Sequence, residues 1–80
     1  MVKITIEKFA KKYIEHNQDE KFEDVVKRLK ASLKRKKSGA LCKQCKTEPI
    51  WAIGSALGGF EGCFTCITGE SDHSKDYEIY

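Results

Sequence analysis

The amino-acid sequence predicts an α+β protein: an N-terminal helical hairpin followed by a small antiparallel sheet folded around four cysteines. Three observations predict it. Apolar residues recur at helical spacing as far as Leu33, and the basic run that follows ends at Ser38-Gly39. Beyond Gly39 the pattern shortens to brief β-branched and aromatic runs. Those runs are interleaved with two Cys-x-x-Cys pairs. The chain thus divides into residues 1–39, the helical hairpin, and residues 40–80, the four-cysteine part, read together as one compact unit.

In the first helix, expected over residues 5–16, Ile6, Phe9, Ala10, Tyr13 and Ile14 share one face. Thr5 is its N-cap, because a hydroxyl there accepts from an orphan N–H of the first turn. Asn17 ends it by adopting the left-handed conformation, and His16 sits in its last turn, where a cation suits the helix dipole. Asp19 is read as the cap of a second helix over residues 20–37, whose apolar face is Phe22, Val25, Val26, Leu29 and Leu33. After the boundary, Ile50–Ile53 and Cys63–Thr68 read as strands, Gly58-Gly59 as a turn between them, and "DYEIY" as a terminal strand.

A chain of 80 residues has a marginal core, since a domain of that size buries only about 60% of its unfolded surface. Small scaffolds are helped by disulfides, a metal or oligomerisation. "MVKITIEKFAKKYIEH" is broken by charge every few residues and does not read as a secretory signal, and no stretch is apolar enough for a membrane helix. The expectation is a cytoplasmic monomer, in a compartment where thiols stay reduced and paired cysteines bind metal.

Cys42-x-x-Cys45, seventeen residues, then Cys63-x-x-Cys66 has the spacing of a four-cysteine zinc site. Two residues between ligands let a tight turn aim both sulfurs at one point. Two such turns place four sulfurs about 2.3 Å from a tetrahedral ion, leaving no position for water, so the site is structural. Disulfides would require export. A redox Cys-x-x-Cys opens a helix after a strand within a βαβ pattern, and neither pair reads as lying in such a pattern. Iron is accepted by the same four-sulfur set.

With these motifs, residues 40–80 resemble a zinc ribbon, in which two Cys-x-x-Cys knuckles and a small antiparallel sheet enclose one zinc ion. The resemblance implies Cys42, Cys45, Cys63 and Cys66 as its ligands. The ribbon knuckle is often Cys-Pro-x-Cys-Gly, whereas this chain has "CKQCK" and "CFTCI". "PIWAIGSA", "CFTCITGE" and "DYEI" are also similar to short bacterial proteins of unassigned function, a likeness that implies no activity.

Other residues point less far. "GSALGG" lacks the Lys-Ser/Thr ending of a phosphate loop and suits a close hairpin beside a knuckle. Trp51 reads as an apolar body packed on the metal site or helices, with a stacking platform as the alternative. His73, Glu70, Asp72 and Asp76 fall in a polar loop, and no catalytic constellation remains once the cysteines are assigned to metal.

The charge is split, with +6 in residues 1–39 and −3 in residues 40–80. Lys27, Arg28, Lys30, Lys34, Arg35, Lys36 and Lys37 make a basic stripe, a candidate polyanion-binding surface. The function expected is a non-enzymatic interaction module with one structural zinc and a protein or nucleic-acid partner, the latter met weakly through the basic helix. The alternative is a thiol-based redox protein or a rubredoxin-like iron electron carrier.

Overall fold

The computed structural model describes residues 1–80. Its elements, in chain order, are β1 (Val2–Ile4), α1 (Ile6–His16), α2 (Phe22–Lys37), α3 (Ala52–Leu57), α4 (Phe64–Thr68) and β2 (Tyr77–Ile79). The class is α+β, but the sheet is parallel and not the antiparallel one the sequence predicts: β1 and β2 are its only strands, in register Val2↔Tyr77 and Ile4↔Ile79. Parallel partners need a long crossover. Here the crossover is the whole body of the molecule, with the two ends of the chain lying side by side. Residues 40–80 contain no sheet of their own. Their one antiparallel pairing is an isolated bridge between Leu41 and Pro49.

The first two helices form largely where the periodicity puts them. Thr5 Oγ1 accepts from the Lys8 N–H at 3.3 Å, capping α1. Asn17 ends α1 without turning left-handed; its φ is −140°, and its side-chain amide donates to the Tyr13 carbonyl at 2.8 Å. Asp19 does not cap α2, which starts after Lys21 with no side-chain cap. Glu23 and Asp24 supply negative charge in its first turn instead. At the other end Ser38 Oγ donates to the Arg35 carbonyl at 2.7 Å, and Gly39 takes φ +93°, which glycine adopts without steric cost.

The two runs read as inner strands are helices. Ala52 and Ala56, and Ile53 and Leu57, each stand four residues apart, so α3 lays one apolar side on α2. α4 is five residues long and stops at Gly69, φ +81°. One apolar core joins the first half (Ile4, Ile6, Ala10, Val25, Leu29) to the second (Ala52, Ile53, Ile79), with Trp51 and Leu57 packed against it. No helix is long and apolar enough to cross a membrane.

Candidate metal centre

The first cysteine pair lies on a tight loop just after α2. The Cys42 N–H donates to the Glu48 carbonyl at 2.8 Å and the Lys46 N–H to the Cys42 carbonyl at 2.9 Å, so residues 42–48 close on themselves. Closure requires a left-handed residue after Cys45. Lys46 takes it, at φ +62°, where the familiar knuckle has glycine. The Cys45 N–H then points at Cys42 Sγ, 3.4 Å away.

The second pair is held differently. Cys63 is the N-cap of α4 and Cys66 lies one turn further, so both sulfurs leave the same side of a helix. The approach to Cys63 is pinned from three directions. The Ser55 hydroxyl accepts from the Gly62 N–H at 3.1 Å and donates to its carbonyl at 3.2 Å. The Trp51 N–H reaches the Gly62 carbonyl at 2.8 Å, and the Lys43 N–H from the first loop reaches the Glu61 carbonyl at 2.9 Å. Gly54 lets α3 lie against α4, since a Cβ there would collide with the Trp51 ring and Ile67. "GSALGG" is therefore the body and end of α3, not a hairpin loop.

These supports bring the four sulfurs within 4.8 Å of one another, with Cys45 Sγ and Cys63 Sγ 3.8 Å apart. A regular tetrahedron of sulfurs around a zinc-sized ion has edges of about 3.8 Å for bonds of about 2.3 Å. The cluster fits such an ion with little adjustment, and all four cysteines are free thiols. The four cysteines can hold a metal ion.

Three of the thiols depart from the ordinary cysteine acidity, in opposite directions. The Cys45 N–H, with smaller help from other amides, draws the Cys42 thiol down to about 6. The Thr47 backbone N–H and hydroxyl lower Cys45. Hydrogen bonds with Cys63 and Cys42, and then burial, push Cys66 up to about 12. In this arrangement Cys42 is the readiest of the cluster to be thiolate and Cys66, its hydrogen-bond neighbour, is held protonated.

A carboxylate that sequence reasoning overlooked stands beside this centre. Glu78, on β2, is 9% exposed. Its carboxylate accepts from Lys36 Nζ at 2.6 Å, the Ala52 N–H at 2.8 Å, the Ile53 N–H at 3.3 Å and the Ile79 N–H at 3.1 Å. It thereby supplies the N-terminal cap that α3 lacks locally. Ser32 Oγ, buried on α2, donates to the Ala52 carbonyl at 2.7 Å and fixes the same junction. A cleft of about 600 Å³ separates Glu78 and Lys36 from Cys45, Cys63 and Cys66, with Trp51 and Phe64 in its wall.

The remaining candidates fall outside the cluster. Trp51 packs edge-on to Phe64 at 5.0 Å and donates its indole N–H to the Tyr77 carbonyl at 2.9 Å, so it is a half-buried packing residue. His16 is exposed in the last turn of α1, and His73 is exposed and edge-on to Phe64. Glu70 and Asp72 are exposed in the 69–76 loop, where the Ser74 N–H holds the Asp72 carboxyl below the usual range. The basic stripe divides. Arg28 pairs with Glu20, Arg35 with Glu61 through two contacts of 2.7 and 2.8 Å, and Lys36 with Glu78. Lys27, Lys30, Lys34 and Lys37 are exposed and make no ion pair.

No protein family matches the chain, and no curated protein or solved structure matches it either.

Proposed function

We propose that this is a small zinc protein whose four-cysteine centre is structural and which acts as a non-catalytic interaction module. The convergence of four thiols and no other ligand type carries the reading. Soft thiolate ligands in a tetrahedron select zinc or iron over hard cations, and a site of four protein ligands has no open position for substrate. The location agrees with a staple: the sulfurs tie the loop at 42–48 to α4. Metal bound there is folding free energy for a chain with a small core.

The test is metal analysis of protein purified without added metal. One zinc per chain and a colourless solution are expected, with loss of native structure on strong chelation. Red-brown protein containing iron would replace this reading with an electron carrier. Metal-free protein with four reactive thiols would replace it with thiol redox chemistry. Cys45 and Cys66 are only half-buried, and this favours the redox alternative as the runner-up.

A further inference from the structure

Three of the seven basic residues on α2 are engaged in ion pairs, and what remains is a row of one kind. Lys27, Lys30, Lys34 and Lys37 all lie within an arc of about 80° at 100° per residue, over a length of about 15 Å. Lys27 and Lys30, Lys30 and Lys34, and Lys34 and Lys37 are successive neighbours on the helix surface, and each such like-charge pair is unfavourable to the helix. Glu23, at the N-terminal end, is the one acidic residue in the arc. A face kept only for solubility gains by mixing signs. From Lys27 to Lys37, over three turns, this face keeps one sign, with Glu23 one turn before the row begins.

We propose that this row binds the phosphate backbone of double-stranded nucleic acid without regard to sequence. The proposal rests on the reading of the protein as an interaction module, and it names the partner. Charge complementarity selects a polyanion, and the rest of the arc narrows the choice. The arc holds no aromatic or aliphatic anchor, and lysine is depleted from the cores of protein–protein interfaces, so a protein partner fits poorly. Single-strand binders add aromatic platforms for base stacking, and none is present in the arc. It contains no arginine, asparagine or glutamine to read base edges. Four ammonium groups over that length match about four base pairs of duplex backbone. Arg28 and Arg35 lie on the other edge of the exposed face, held by Glu20 and Glu61, and take no part.

The experiment is a fluorescence-anisotropy titration of metal-loaded full chain with two short DNA duplexes of unrelated sequence. The two should bind alike, with log K falling against log salt at a slope of about −3.6 for four phosphates, roughly 150-fold between about 50 and 200 mM. Lys27→Gln with Lys30→Gln should halve the slope to about −1.8, and substituting all four lysines by glutamine should abolish binding. Replacing all four by arginine, or Arg28→Gln alone, should leave the slope unchanged. Metal content and circular dichroism of each variant separate loss of the row from loss of the fold. Absence of binding at the lowest salt, a slope insensitive to the lysines, a preference between the two sequences, or tighter binding to an acidic peptide than to duplex would each overturn the proposal. Failure of the zinc assignment would leave this titration readable, because the row is on α2 and not on the cysteine loops.

Discussion

Removing the Glu78 carboxylate should cost this protein far more than an ordinary charge substitution on a short strand. Glu78→Ala strands the Ala52 and Ile53 N–H groups, the first donors of α3, in a buried setting, and it leaves the Lys36 ammonium without its partner. An orphaned buried donor costs about 1–3 kcal/mol. Breaking a buried charge pair costs about 3–5 kcal/mol. Lys36 keeps about a third of its side chain in water, 32% exposed against 11% for Glu78, which lowers the second figure. The terms overlap, so the expected loss is about 3 kcal/mol, a fall in Tm of roughly 15 °C for a domain of this size. Glu78→Gln keeps one acceptor for α3 but turns an amide toward Lys36, and it should fall between wild type and alanine. Urea unfolding under saturating zinc, followed by circular dichroism and by Trp51 fluorescence, measures both variants at constant m. A change below about 0.5 kcal/mol for alanine, the usual surface value, would refute the capping role.

Lys46→Gly should stabilise the metal-loaded protein by about 0.5–1 kcal/mol, because relief of a left-handed non-glycine residue outweighs the added freedom of the unfolded chain. Thermal unfolding reads this, and a lower Tm would contradict it. Zinc affinity should rise with pH up to about 8.5, because the thiols of the metal-free, unfolded chain hold their protons below the ordinary cysteine value and each must lose one to bind. At neutral pH zinc uptake should release close to four protons, since the metal-free chain is unfolded and its thiols, titrating at about 8.5, still carry theirs, and calorimetry in buffers of different ionisation enthalpy counts them. Strong chelation, or Cys45→Ser, should abolish native dispersion of amide signals in residues 2–37 together with residues 40–80. Native shifts surviving in α1 and α2 after complete metal removal would disprove that cooperativity.

What could be read from the sequence followed the length of each signal. α1 and α2 repeat their apolar spacing over three or four turns, enough to separate a period of 3.6 from one of 2. The cysteine spacing is likewise a pattern whose geometry leaves little choice. α3 and α4 span six and five residues, too few for the periods to part, and their glycines and β-branched residues imitate a strand boundary. A usable signal was present in "CITG", where glycine closes a helix turn at Gly69. β1 could not be read, because three residues acquire strand character only from a partner more than seventy positions away. Glu78 was equally hidden: its alternation with Tyr77 and Ile79 marks it as outward-facing, and only the docking of α3 and Lys36 makes that side an interior.

The connections from α2 explain why metal and core should stand or fall together. Arg35 holds Glu61, whose carboxyl it keeps below the usual range, and Glu61 accepts the Lys43 N–H of the first cysteine loop through its own carbonyl. The next residue along, Lys36, holds Glu78, which fixes the start of α3 and joins β2 to β1. Ser32, one turn earlier, grips the same start of α3. α2 is thus the strut on which both cysteine loops are hung, and its apolar side closes the core with Ala52 and Ile53. If the sulfurs lose their ion, the 42–48 loop keeps only its backbone hydrogen bonds and the pair of Lys43 with Glu61, and α4 only the packing of Phe64 and Ile67 against Trp51 and α3. Their release frees Glu61 and exposes the Trp51 and Phe64 faces that back α3. α3 then loses its support on one side while α2 loses an apolar neighbour on the other. With so few buried residues, neither half keeps a core of its own, so the staple at four sulfurs should govern the stability of helices that never touch them.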